Sequence, residues 1–395
     1  VANNVDPFVP EYWSRRTQAR LRKMLVGMKI ASFEERATLR DGDTVHRPFK
    51  SDFHVDDYTK GTDVSIQDIT ATDETLIVNK SKIIGFYVDE VDEIQSKYRV
   101  ANEWIDRTAY RLKDQIDGEL MQEVVNANLT VDDGSIGGTA GNPITLTTTN
   151  AANTFATAYA TLAGNDVEQD KQWYVIVDPF FASVMNQTLV KDGFNLADSA
   201  LRNSFVGNFQ GFKVFMSNNL RSSQVLTMGT IPTATDTVTV KGVVFTYVAA
   251  PAVAGDVDIG ASADISRTNL EAAINGGAGA GSLYIEVSQA DRNTLSGNRV
   301  VAVDDSVLNT LTITGSGRII TSETLTDGSD EFGDQTVSAM AGRMGNIDLV
   351  MQKEVRTDRK AEPKRIGFNF LTHTLYGIKT FDEGTERLLD LQLKV

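Results

Sequence analysis

Cysteine is absent from the 395 residues, which excludes disulfide staples, thiol nucleophiles and cysteine-ligated metals and leaves packing and association to hold the fold. Histidine is nearly absent too. His46, His54 and His373 are scattered, with neither zinc-site spacing nor a serine or cysteine partner, so the common metal and triad chemistries have no carrier. Positive charge is the third shortage. The 38 basic residues against 53 acidic ones give a net charge of -15, the opposite of the basic stripe that marks a sequence-reading nucleic-acid binder. No stretch approaches the ~20 consecutive apolar residues of a membrane helix, and the leading VANNVDPFVPEYWSRR has no apolar signal core. The chain is expected to be soluble and made in the cytosol.

What is present is an ordinary globular composition, 41% hydrophobic and 23% charged, with room for two or three domains. Proline does not interrupt residues 92–127, and the one glycine there is Gly118. Ile94, Tyr98, Ala101, Ile105, Ala109, Leu112, Ile116, Leu120 and Val124 recur every three or four residues, which predicts an amphipathic rod on the order of 50 Å long. A compact globule rarely needs one.

Before the rod, residues 11–33 place Leu21, Met24, Leu25 and Met28 at helical spacing beside Arg15, Arg16, Arg20, Arg22 and Lys23. This basic amphipathic arm docks either on the protein's own core or on an acidic neighbour. Strand-like stretches at 43–49 and 74–91 flank a polar middle, and the two are expected to pair as a long hairpin. The middle has too few apolar residues to fold on itself, so it should project until a partner covers it.

Beyond the rod comes a probable helix near 150–164, then WYVIV, an apolar run that reads as a buried strand. Asp178-Pro179 follows as a helix cap with proline in the first turn, and 205–220 adds a strand approached by Gly207 and Gly211. From about 225 the texture turns to Thr, Val, Ala, Gly and Asp. Strands are expected at Val238 to Val240, Val243 to Val248, Tyr284 to Val287, Arg299 to Val303 and Leu311 to Thr314, with one helix near 264–275, in a self-contained insert. IDLVMQKEV and LLDLQLKV then return as strands.

Several tempting features point to structure before chemistry. GGAGAG at 276–281 follows a helix and precedes a strand, the reverse of a phosphate-binding turn. Asp256, Asp258 and Asp264, and Asp327, Asp330, Glu331 and Asp334, lack the order of a calcium loop and read as turns. Asp56 with Asp57, and Asp304 with Asp305, are sequence neighbours whose side chains diverge.

The order of parts, from basic arm through polar hairpin, rod-like helix and WYVIVDPFFASVMN to IDLVMQKEV and LYGIKT, resembles the major capsid proteins of tailed bacteriophages. That resemblance spans about 11–222 and 336–395 and implies an α+β fold of the HK97-like type. Residues 1–33 would be the N-terminal arm, 34–91 the extended loop and peripheral strands, and 92–164 the peripheral domain with its spine helix. Residues 165–224 would form the axial domain, 225–335 a small β-rich inserted domain, and 336–395 the return through axial and peripheral sheets. The implied function is a major capsid protein that assembles as pentamers and hexamers into an icosahedral virion shell around double-stranded DNA. Neither enzymatic activity nor a cofactor is implied.

The expected partners are copies of the chain, a separate scaffolding protein, a portal and a decoration protein, with DNA met only non-specifically and no membrane. Arg15, Arg16, Arg20, Lys60, Arg356, Arg359 and Lys360 facing Asp56, Asp57 and Asp63 of a neighbour are the candidate contacts between subunits. The family's lysine–asparagine crosslink is not carried over, because only Lys60 has a plausible place. Two other readings stay open: a tail or adhesin component whose insert binds a receptor or glycan, and a hydrolase with a carboxylate pair.

Overall fold

The computed structural model describes residues 25–34, 42–50, 53–64, 66–68, 71–95, 100–170, 172–191, 208–362 and 365–394. Helix α1 (Gly27–Ile30) leads to β1 (Thr44–Lys50), which pairs antiparallel with β2 (Ala71–Ile77) from Thr44↔Ile77 to Lys50↔Ala71. The expected hairpin therefore forms. Its second arm is nevertheless two strands, because β3 (Lys80–Asp89) leaves the hairpin after Val78 and joins a different sheet.

Within the expected rod, residues 96–99 lie outside the described residues, and helix forms on both sides of them. Helix α2 (Glu90–Gln95) precedes α3 (Val100–Gln122), and the 3-10 turn Glu123–Asn126 continues α3. At ~1.5 Å per residue, α3 alone is about 35 Å long. Its stripe is buried at the C-terminal end, where Leu112, Ile116, Leu120 and Val124 meet solid protein, whereas Ile94 on α2 stands 76% exposed. The N-terminal half of the rod has only a thin sheet beneath it.

The chain then lays β4 (Leu129–Val131), β5 (Ile144–Thr145), α4 (Ala151–Gly164), β6 (Trp173–Val177), α5 (Pro179–Lys191), β7 (Asn208–Phe209), β8 (Phe212–Met216) and β9 (Arg221–Thr227). All five residues of β6 are buried, with Phe155 and Leu162 of α4 and Phe181 and Met185 of α5 in the same core. Asp178 caps α5 as expected, its Oδ2 accepting the Phe180 N–H at 3.1 Å.

Next come β10 (Thr237–Val240), β11 (Val243–Val248), β12 (Asp256–Asp258), α6 (Ala263–Asn275), α7 (Gln289–Gly297), β13 (Val301–Asp305), β14 (Thr310–Ser316) and β15 (Thr321–Glu323). A second hydrophobic core, from Leu226 to Ile319, fills this region. The strand expected at Tyr284 to Val287 is not formed. Tyr284 instead makes single bridges to Val257 and Ala280, and its hydroxyl donates to the Gly277 carbonyl at 2.6 Å. Strand β12 and helix α7 were not anticipated, the helix because only Leu295 among its residues is buried.

The last elements are β16 (Thr336–Arg343), β17 (Asp348–Ala361), β18 (Gly367–Lys379), α8 (Asp382–Glu386) and β19 (Leu388–Lys394). Strand β16 is the hub of a ten-stranded sheet that runs β13-β14-β9-β16-β6-β8-β7, with β19 also on β16 and β4 and β5 on β19. Because β14 pairs β9 along its whole length, the insert continues this sheet and is not a tethered bead. Separately, β17, β18 and β3 form a three-stranded sheet, on one face of which α3 lies. A chain of hydroxyls, Thr108 to Thr372 to Thr357 at 2.8 Å each, stitches the helix to it.

Candidate assembly interface

The loop between β1 and β2 holds large apolar residues that stay exposed among the described residues. Phe53, Val55, Tyr58, Val64 and Ile66 are 61%, 99%, 69%, 67% and 90% exposed. The loop has some internal order: Gln67 donates to the His54 carbonyl at 2.6 Å, His54 N–H returns a bond to Gln67 at 3.2 Å, and Gly61 turns with φ 92°. Large apolar side chains presented together on a projecting element mark a contact surface. Covering any one of them fully is worth about 1.5–3 kcal/mol.

By contrast, the root of the hairpin is fixed. Val45, Leu76, Val78, Val350 and Phe381 form a small buried cluster. Arg47 donates to Asp348 at 3.3 Å and Glu383 at 3.0 Å, with its guanidinium 5.2 Å from the Phe381 ring centre. Glu74 accepts the Asp382 N–H at 2.8 Å. A rigid base with an uncovered tip is the geometry of a reaching arm.

The charged candidates are distributed as follows. Arg15, Arg16 and Arg20 lie outside the described residues. Asp56, Asp57, Lys60 and Asp63 are all exposed on the loop, with Asp56 3.1 Å from His54. Arg356 pairs with His373 in register and Arg359 with Phe370, so Arg356, Asp358 and Lys360 share the face of β17 turned away from α3. Arg359 occupies the opposite face, 3.5 Å from the Phe368 ring centre. Arg356 is bonded to Asp358 at 3.3 Å. Among the described residues, no ion pair brings the loop carboxylates to these cations within one chain, and the three cations do not form one patch.

Beneath α3, Glu119 takes Lys80 at 3.0 Å, Lys82 at 3.6 Å and the Gln115 amide at 2.8 Å. Burial works to raise its pKa, but the Gln115 bond and the two lysines outweigh it and hold the carboxyl below its ordinary value. Asp117, two residues earlier on α3, goes the other way. Burial dominates and raises it, although it accepts bonds from Asn219, Gly27 and Val26.

The acidic turns act locally. Asp256 accepts the N–H groups of Ala252 and Val253, Asp330 those of Gly229 and Thr230, and Asp334 pairs with Lys394. Asp304 bonds buried Arg267 at 2.7 Å while Asp305 caps the turn at Val307, so the adjacent pair diverges. Among the described residues no three histidine or carboxylate groups gather as for a metal ion, and no helix is long and apolar enough to cross a membrane.

Charge patterning in the sequence does not single out Val55, Tyr58 and Ile66. Their signal was present as isolated apolar residues, spaced through an otherwise polar segment with no strand or helix period.

No family model and no curated protein matches this chain. Solved structures do match over nearly its whole length. A structure of Mycobacterium phage Che8 is 15% identical, covers 98% of each chain and superposes with a TM-score of 0.59. The capsid of cyanophage P-SCSP1u is 10% identical with TM-score 0.58, covering 99% of this chain and 94% of that one. The mature capsid of bacteriophage PhiM1 is 10% identical with TM-score 0.52, over 98% and 91%. Superposing over nearly its whole length on phage capsid structures, the chain has their HK97-like α+β fold.

Proposed function

We propose that this protein is a major capsid protein that assembles, through pentamers and hexamers, into the icosahedral shell of a virion enclosing double-stranded DNA. One observation carries the reading: the loop between β1 and β2 presents Val55, Tyr58, Val64 and Ile66 from a firmly rooted hairpin, and nothing among the described residues covers them. Repeating copies supply the cover. Each contact is modest, and a subunit that both gives and receives such a loop multiplies it around a closed lattice. The net charge of -15 limits adhesion to the packaged polyanion and keeps it releasable. A scaffolding protein directs curvature, and portal and decoration proteins complete the particle.

The test is expression of the full chain with a scaffold, followed by sedimentation and electron microscopy. Closed shells are expected. Small discrete oligomers alone would overturn the reading. Replacing residues 53–68 with a short Gly/Ser turn should leave a folded subunit, seen by unchanged far-UV circular dichroism, that no longer forms particles.

A further inference from the structure

One turn and a half of α3 gathers three distant parts of the chain. Asp117 Oδ1 accepts the N–H groups of Val26 and Gly27, each at 2.7 Å, so the spine carboxylate caps the first turn of α1 across a gap of some ninety residues. Its Oδ2 accepts Asn219 Nδ2 at 2.8 Å, and the same amide reaches Asp114 Oδ1 at 2.9 Å. On the adjoining surface Arg299, between α7 and β13, donates Nη2 to the carbonyls of Asp114 at 2.6 Å and Gln115 at 3.1 Å, and Nη1 to Ser316 Oγ at 3.0 Å. Gln122 Nε2 reaches Ser316 Oγ at 3.2 Å from one turn further on.

Two glycines make these approaches feasible. A Cβ on Gly118 would lie 2.1 Å from the Arg299 guanidinium carbon, so the helix surface is hollowed at the point where the insert's arginine rests. A Cβ on Gly27 would meet Leu120 at 2.9 Å and Asp117 Oδ1 at 3.3 Å. Arg299 also holds a left-handed backbone, φ 51°, which aims its side chain at the helix. The carbonyls of Asp114 and Gln115 are those that α-helix geometry assigns to the amides of Gly118 and Glu119, so the guanidinium and the helix share them.

We propose that residues 114–118 of α3 form a coupling node through which the root of the N-terminal arm and the insert hold each other in place. Loosening either one loosens the other, because both read the position of the same helical turn. The node is independent of whether the chain assembles.

Hydrogen–deuterium exchange on the full chain tests it, read on peptides spanning 25–31 and 299–318. Gly118→Ala fills the seat of Arg299 with a residue of higher helix propensity, so the spine itself is not weakened. Both peptides are expected to exchange roughly tenfold faster than in the wild type. Arg299→Met, which keeps length and removes the donors, should do the same. Asp117→Ser should speed exchange at 299–318 as well as at 25–31. Gln289→Ala, on the exposed side of α7, should change neither. An arm root whose exchange is untouched by Gly118→Ala and Arg299→Met, while the insert responds, would show two independent contacts and end the proposal. If Arg299→Met yields no folded protein, Gly118→Ala decides alone.

Discussion

At the scale of single residues, the decisive question is which side chains have partners inside one copy of the chain. Arg267 is fully buried and satisfied: it donates to Asp304, Asp264 and the Met228 carbonyl. Arg267→Ala would leave Asp304, itself only 13% exposed at its side chain, without its counter-charge. A loss of about 3–5 kcal/mol is expected, measured by urea unfolding of the region from Leu226 to Ile319. Ile66 is the opposite case, 90% exposed and without cover among the described residues. Ile66→Asp should shift the melting temperature by no more than about 2 °C, in line with surface changes within ±0.5 kcal/mol, yet abolish particle formation seen by electron microscopy. The two substitutions separate fold from assembly.

Buried carboxylates give a pH signature with two signs. Asp117, raised chiefly by burial, binds its proton more readily in the folded chain than in the unfolded one. Its ionisation therefore opposes folding, and this contribution costs stability as pH rises from about 3.9, the unfolded aspartate value, through the raised folded value. Glu119 is lowered on balance, so its contribution is present above the unfolded glutamate value and is lost as pH falls through the lowered one. Replacing Asp117 by Asn removes only the first term. Across denaturant titrations from pH 4 upward, the stability of the wild type relative to Asp117→Asn should decline with pH.

At the scale of elements, α3 is where periodicity and tertiary packing meet. Its apolar repeat was legible and gave the helix, but not the uneven burial along it, since Ile116, Leu120 and Met121 press on the main core while the other end crosses a single sheet. Ala109→Pro should break α3 near its middle at a cost of about 3 kcal/mol or more, read as lost helicity by circular dichroism and lost assembly. Normal particles from that variant would show that the helix does not carry the subunit. The insert shows a second contrast. Its Thr/Val strands were readable, but β14 lies along β9 and extends the central sheet, so excising 226–331 strips strands from the body. That deletion would not isolate the insert's own role.

At the scale of the whole molecule, residue type and local spacing determined most of the parts: no thiol chemistry from the missing cysteine, a buried strand from WYVIV, a capped helix from Asp178-Pro179, a hairpin from the strand-like stretches at 43–49 and 74–91, which pair as 44–50 with 71–77, and an exposed loop from the polar stretch between them. These follow from neighbours within a few residues, whose geometry the backbone fixes locally. Only the tertiary structure decided that Arg359 turns to the opposite face from Arg356 and Lys360, and that the lone glycine of the spine is a seat for an arginine 181 positions away, Gly118 for Arg299. Strand register and the meeting of distant segments depend on how whole surfaces pack, and no local period in the chain records them.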